Sequence, residues 1–283
     1  MTEYSDFIIG ILNTKEGIGV KRGYIFDLDG TIYLEEKIIE GASETIKALR
    51  ERGDEVVFLT NKSIETTETY VNKLNRLGVE VTNKDVINSN ILTARYLKSK
   101  LDQEEKVMVI GETPLINEIK KQDIEVSDNP EEVTYVVLGW DRKFTYDKLN
   151  DAFQAWRNGA VMVATNPDRT CPMREGQIPD CGAMIGAMEG ATGEKVDIIL
   201  GKPSLLAAKF IVEDILQLPS ERCFMVGDRL ETDVKMGNDY GMNSILVLTG
   251  ITDKSMVETT SFKPHYTLNS VKDILNMKTD AVV

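Results

Sequence analysis

Short apolar runs that halt at small polar or acidic residues recur along this chain. The first sets the pattern, with Tyr24-Ile25-Phe26 running straight into Asp27-Leu28-Asp29-Gly30-Thr31. Such a run reads as a buried strand, and Gly30 breaks it just after the second carboxylate. Residues i and i+2 of an extended strand face the same side, so Asp27 and Asp29 project together from its carboxyl end. Taken alone, the stretch has two readings. It is a carboxylate pair set up for chemistry, or a strand closing in a polar turn where Asp and Gly occur for conformational reasons.

The pattern returns at Val56-Val57-Phe58-Leu59 before Thr60-Asn61-Lys62. It returns again at Ile198-Ile199-Leu200 before Gly201-Lys202-Pro203-Ser204, and at Cys223–Val226 before Gly227-Asp228-Arg229-Leu230-Glu231-Thr232-Asp233. Between these runs stand helical patterns at Ala42–Arg52, stopped by Gly53, at Thr66–Leu77, at Asn90–Lys100 and at Ser204–Leu216. Thr31–Glu40 reads as a short hairpin or flap. A strand at Ser244–Leu248 and a helix near Val271–Met277 finish the chain. Alternating β and α implies a parallel sheet with helices on its faces.

A second series of the same kind lies inside the first. Its strands are Lys106–Ile110, Tyr135–Leu138 and Val161–Ala164, and its helices are Pro114–Gln122, Tyr146–Asn158 behind an N-cap at Thr145, and Gly182–Ala191. A long loop runs from Thr165 to Cys181. The expected organisation is a core of residues 1–100 and 199–283, reopening at the Ile198 run, with residues 101–198 inserted as a second α/β unit. A length of 283 residues suits one large or two ordinary domains. At the start of the chain, Phe7–Leu12 is apolar, and Gly17-Ile18-Gly19 misses a dinucleotide loop because Arg22 stands where the third glycine belongs.

Composition removes several functions. Lys and Arg number 33 against 46 Asp and Glu, a net charge of -13, so no basic excess exists to replace phosphate counterions and a nucleic-acid partner is not expected. No apolar stretch approaches the roughly 18 residues of a membrane span, and Met1–Asp6 is no secretion signal. The expectation is a cytoplasmic protein whose oligomeric state, homo-oligomer included, is open. Cys171, Cys181 and Cys223 form neither a disulfide framework nor a zinc knuckle. The single histidine, His265, excludes Ser-His-Asp triads and most catalytic zinc sites and reads as structural. Cys223 and Arg229 have the C-x5-R spacing of a cysteine-phosphatase loop, but Phe224-Met225-Val226 between them reads as strand core.

Ligands of open α/β sheets bind at the carboxyl ends of the strands. The polar groups expected there would hold a phosphoryl group. Asp27 is placed as nucleophile and Asp29 as the acid that protonates the leaving oxygen and later activates water. Thr60 and Asn61 donate hydrogen bonds to the phosphoryl oxygens, and Lys202 adds charge. Each like-charge pair between a phosphate dianion and these carboxylates costs on the order of 4 kcal/mol at an effective dielectric near 20. One lysine does not offset that, whereas Mg²⁺ bound by Asp27, the main-chain oxygen of Asp29 and Asp228 does, with Asp233 behind them or bridged by water. Bland readings stand beside these: Lys202 as a surface lysine in a Gly-Pro turn, Asp228 and Asp233 as turn and helix-start acids, and Arg229 as a solvent-facing cation.

The four stretches Asp27–Thr31, Thr60-Asn61, Gly201-Lys202-Pro203 and Gly227–Asp233 resemble the four motifs of the haloacid dehalogenase (HAD) superfamily of phosphatases. The chain is similar to its NagD-like subfamily IIA, and Thr165-Asn166-Pro167-Asp168 and Gly182-Ala183-Met184 resemble that subfamily's cap. The resemblance spans about residues 22–275. It implies a Rossmann-like α/β core with an inserted α/β cap of C2 type, and Mg²⁺-dependent hydrolysis of small phosphate monoesters, sugar phosphates above all. Asn166, Asp168, Arg169 and Arg229 stand where a cap would meet the substrate, a small phosphorylated metabolite. Lys62 departs from the pattern, since many relatives carry Asn there. Two rivals remain: a phospho-accepting signalling or binding module, and another HAD phosphotransferase such as a phosphomutase. Receiver modules carry an adjacent acidic pair with the acceptor on a different strand, whereas here both acids share one strand, which counts against the first. The roughly 30 residues between Asp27 and Thr60, too few for a cap, count against the second.

Overall fold

The computed structural model of the chain describes residues 20–173 and 176–277, so the readings at Phe7–Leu12 and Gly17–Gly19 fall outside it. Strand β1 (Gly23–Phe26) is buried along its whole length, which is why it reads as an unbroken apolar run rather than an alternating one. After it, β2 (Tyr33–Leu34) and β3 (Lys37–Ile38) make the small antiparallel flap expected over Thr31–Glu40. Helix Ala42–Glu51 turns Ile46 and Leu49 inward. Then come β4 (Glu55–Thr60), helix Thr67–Arg76 with Thr66 as its cap, β5 (Val86–Asn88) and helix Ser89–Lys98.

The inserted stretch contributes β6 (Lys106–Ile110), β7 (Glu125–Val126), β8 (Val133–Leu138) and β9 (Val161–Ala164). Next follow a hairpin of β10 (Thr170–Met173) and β11 (Gly176–Pro179), helix Cys181–Thr192 and β12 (Ile198–Ile199). The chain returns through β13 (Cys223–Gly227), β14 (Asn243–Val247) and β15 (Tyr266–Leu268).

These strands build two parallel sheets, ordered β15-β14-β13-β1-β4-β5 and β12-β9-β8-β6-β7. The fold is a parallel-sheet HAD-type core carrying an inserted cap with its own sheet and helices. In the core sheet the chain runs outward from β1 in both directions, which makes the carboxyl end of β1 the topological switch point where a crevice opens. Phe26 lies level with Val226 on one side and Phe58 on the other. The residues that follow these three strands therefore emerge together. Period-two alternation sends Tyr24 and Phe26 into one core layer with Phe58 and Leu74, and Ile25 into another with Val57 and Met225.

Three details depart from the sequence reading. Ile198–Ile199, expected to reopen the core, pairs with Val163–Ala164 and is the edge strand of the cap sheet. An isoleucine pair states that it is buried, not which sheet buries it. The long loop from Thr165 to Cys181 contains the β10–β11 hairpin. The helix expected over Ser204–Leu216 is α-helical over Leu205–Lys209 and widens to π spacing over Phe210–Leu216. Among the described residues, no helix is long and apolar enough to cross a membrane.

Candidate active site

Asp27 is the first residue beyond β1, and its main-chain N–H donates to the Val226 carbonyl at 2.8 Å. The chain then turns tightly, with the Leu28 carbonyl accepting from Ile32 and Tyr33 at 2.9 and 3.2 Å. This turn needs glycine at position 30 twice over. Its φ is +86°, and a Cβ there would stand 2.5 Å from Asp228 Oδ2. The same residue that turns the chain thus lets the Asp228 carboxylate approach β1.

Asp228 follows β13 and is buried. Its Oδ2 accepts from Ile251 N at 2.7 Å, whereas its Oδ1, also buried, has no hydrogen-bond partner among the described residues. Asp233 folds back beneath the same strand end, so close that a Cβ on Gly227 would lie 2.1 Å from its Cγ. Asp233 Oδ2 accepts from Arg229 N at 3.1 Å, and its Oδ1 lies 2.6 Å from Lys202 Nζ, an ion pair without hydrogen-bond alignment. Lys202 Nζ also pairs with Asp27 Oδ1, so the lysine bridges two of the acids.

The Thr60-Asn61-Lys62 segment closes the other side. The Asn61 carboxamide accepts from Lys202 N at 2.8 Å and donates to the Lys202 carbonyl at 3.0 Å and to Asp168 Oδ2 at 3.2 Å. Its side chain thus grips the Lys202 backbone. Lys62 Nζ lies 2.9 Å from Asp29 Oδ1, and the Tyr33 hydroxyl 3.5 Å from Asp29 Oδ2. Asp168 reaches in from the cap, and Arg229 Nη1 approaches its Oδ1 at 3.9 Å.

Burial raises the Asp27 carboxyl above its ordinary range, and the Asp233 and Asp228 carboxylates push it further while Lys202 opposes them. Asp228 is raised by burial and by Asp233. Burial pulls Lys202 down, yet Asp233 and Asp27 more than offset it and hold the ammonium above its usual range. Lys62 shows the same balance, with Asp29 overcoming desolvation. Crowded carboxylates of this kind are what a hard dication relieves. Asp27, Asp228 and Asp233 each place a carboxylate oxygen within 4.8 Å of the others. Three clustered carboxylates, that of Asp228 with an orphaned Oδ1, fit Mg²⁺ by the chemistry of the donor set.

A pocket of about 40 Å³ joins Asp27, Asp29, Thr60, Asn61, Lys62 and Lys202. It meets a groove of about 760 Å³ at Asp168, Arg229 and Thr232. Of the core residues singled out in the sequence, Asp27, Asp29, Thr60, Asn61 and Lys202 line this space, while Asp228 and Asp233 lie outside its lining and cluster with Asp27. The cap residues divide. Arg169 is exposed and lines the groove, and Asp168 stands at the junction. Asn166, expected at the substrate, lines neither space. It is fully buried and donates to the Asn61 carbonyl at 2.9 Å, fastening the cap loop to the core. His265 stays outside the pocket, bonded to Ser244. Sequence reasoning missed Tyr33 and Thr232 and the pairing of Lys62 with Asp29. The signal for Tyr33 was its place four residues after Asp29 on a glycine turn.

The family comparisons agree with this geometry. Residues 24–125 match the family described as haloacid dehalogenase-like hydrolase, and residues 199–274 match a companion HAD hydrolase-like family. The chain belongs to the haloacid dehalogenase superfamily of hydrolases. Within it the chain is a NagD-like phosphatase, similar to sugar-phosphatase AraL of Bacillus subtilis (strain 168) at 37% identity over 92% of this chain and 94% of that protein. Two solved structures share its architecture. The 4-nitrophenylphosphatase of Thermotoga maritima superposes with a TM-score of 0.86 at 35% identity, covering 91% of this chain and 97% of that one. NagD from E. coli K-12 gives 0.82 at 29% identity, covering 90% and 98%.

Proposed function

We propose that the chain is a Mg²⁺-dependent phosphatase of small phosphate monoesters, sugar phosphates in particular, working through an aspartyl-phosphate on Asp27. The observation that carries this reading is the clustering of the Asp228 carboxylate, whose buried Oδ1 has no partner among the described residues, with Asp233 and with Asp27 of a phosphoryl-sized pocket. When bound by Asp27, the main-chain oxygen of Asp29 and Asp228, Mg²⁺ supplies the positive charge that four carboxylates and a phosphate dianion require. An Asp27 oxygen attacks phosphorus, the ester P–O bond breaks, and Asp29 gives its proton to the departing alkoxide. A water molecule then attacks the aspartyl-phosphate, Asp29 takes its proton, and alcohol and inorganic phosphate are the products. Lys202, fixed by Asn61 through its own backbone, stabilises the phosphoryl oxygens from below. Asp233 holds that lysine.

In this reading residues 1–100 and 199–283 are the catalytic core, and residues 101–198 are the cap that selects the alcohol. The groove at Asp168, Arg169 and Arg229 receives it. The printed name of the AraL relative supports sugar phosphates. Three unpaired, buried cysteines support a cytoplasmic setting.

Release of p-nitrophenol from p-nitrophenyl phosphate tests the mechanism. It is expected to require Mg²⁺, to stop in EDTA, and to fall about 10⁴-fold in Asp27→Asn. Full turnover in EDTA or in that variant would overturn the reading. Comparing kcat/KM across a panel of sugar phosphates and two-carbon phosphates then ranks the alcohols.

A further inference from the structure

Asp27 and Asp29 stand two residues apart but are held very differently. Asp27 is buried and bridged by Lys202 to Asp233. Asp29 stands at the pocket rim with its side chain 31% exposed, so nothing in its burial fixes where its carboxylate points. Two neighbours do that instead. Lys62, on the segment after β4, brings Nζ to 2.9 Å of Oδ1 in a charge-assisted contact. Tyr33, on the flap, brings its hydroxyl to 3.5 Å of Oδ2, at the outer limit of a hydrogen bond.

We infer that Lys62 and Tyr33 form a two-sided clamp that aims Asp29 at the leaving oxygen, so that both are positioning residues for proton transfer; this rests on the phosphatase reading above. The clamp is anchored outside the pocket. The Tyr33 ring is buried and carries Lys73 Nζ 3.8 Å from its centroid, and the Leu28 turn fixes where the ring sits. Lys62 is not a duplicate of Lys202, because its ammonium is directed to Asp29 while Lys202 serves Asp27 and Asp233. The lysine stem spans from the segment after β4 to the β1 turn and so ties the two together at the pocket.

The test uses leaving groups that differ in their need for a proton. An alkoxide departs poorly unless protonated, whereas p-nitrophenolate departs as the anion. The parameter is kcat/KM, which covers steps through departure of the alcohol and excludes later hydrolysis of the aspartyl-phosphate. In Lys62→Met, kcat/KM for a hexose 6-phosphate is expected to fall about 10- to 100-fold. For p-nitrophenyl phosphate it is expected to stay within about threefold. Tyr33→Phe is expected to move the same ratio in the same direction by a smaller factor, and Lys62→Gln substitutes if Lys62→Met does not fold. Equal losses on both substrates would assign Lys62 to phosphoryl binding, and no loss on either would assign it to the surface; each result overturns the clamp. Asp29→Asn separates this from the parent reading. If Asp29→Asn splits the two substrates and the Lys62 variants do not, only the clamp fails. If Asp29→Asn leaves alkyl phosphate turnover intact, the proton-transfer role of Asp29 fails with it.

Discussion

Both sheets of this molecule end a central strand in a buried acid, and the two acids have opposite fates. In the cap, β8 runs through Gly139 and Trp140 to Asp141, whose Oδ1 accepts from Lys143 N at 2.8 Å and whose Oδ2 pairs with Lys148 of helix Tyr146–Arg157. Its own unit supplies the counter-charge. In the core, Asp228 keeps one oxygen without a partner among the described residues and clusters with Asp27 and Asp233, and burial raises both Asp27 and Asp228. A strand-end acid is therefore structural when a neighbouring cation satisfies it. It is chemical when it is left among like charges with an orphaned oxygen.

Asp228→Asn is the strongest attack on that contrast. Removing one charge and one oxygen ligand is expected to lower kcat/KM about 10²- to 10³-fold and to raise the Mg²⁺ concentration for half-maximal activity. Unchanged Mg²⁺ dependence in a titration of activity would erase the distinction between the two acids.

Asp180 is an intermediate case and sharpens the contrast. It caps helix Cys181–Thr192, accepting from Cys181 N at 2.5 Å, and burial pushes its carboxyl up from 3.8 to about 6. The native state then binds this proton more tightly than the unfolded chain does. Stability from this group is fully present below about pH 4 and is lost as pH rises through about 6, by up to about 3 kcal/mol. Asp180→Asn keeps a capping oxygen and is expected to flatten that part of the unfolding free energy against pH. An identical slope in urea melts of both proteins between pH 4 and 6.5 would refute the assignment.

The smallest effect belongs to Asp141→Ala. Lys148 is 37% exposed and turns to water once its partner is gone. The cost is expected to be about 1–2 kcal/mol, read as a fall of a few degrees in Tm, with kcat unchanged. A large loss of kcat would mean that this acid also serves the chemistry.

Much of this site is legible in the sequence, for a physical reason. A charge placed directly after a buried strand is costly unless it has a purpose, and Asp27, Lys202 and Asp228 each break an apolar run in that way. Phe224-Met225-Val226 likewise read as strand, and β13 contains it, so the Cys223–Arg229 spacing has no phosphate-wrapping loop. What stayed hidden depends on contacts between distant segments. Nothing local in Thr60-Asn61-Lys62 tells that the Asn61 carboxamide faces the backbone of Lys202, 141 residues away. Val86–Asn88 is too short for periodicity to register, and Thr170–Met173 carries a proline that disguises its pairing with Gly176–Pro179. Ile198–Ile199 was visible as a strand, but its partner was a matter of topology.

The grip of Asn61 on Lys202 has a mechanical consequence. Lys202 sits on the segment by which the chain leaves the cap, three residues beyond β12, so a swinging cap would drag the lysine with it were the segment free. By accepting from the N–H and donating to the carbonyl of that one residue, the carboxamide bolts it to the core sheet. Upstream, the N–H groups of Leu200 and Gly201 donate to the Ala164 and Thr165 carbonyls of the cap at 3.0 and 2.8 Å, so the hand-over from cap to core falls between Gly201 and Lys202. The last residue tied to the cap backbone and the cation that serves the core acids are separated by a single peptide unit.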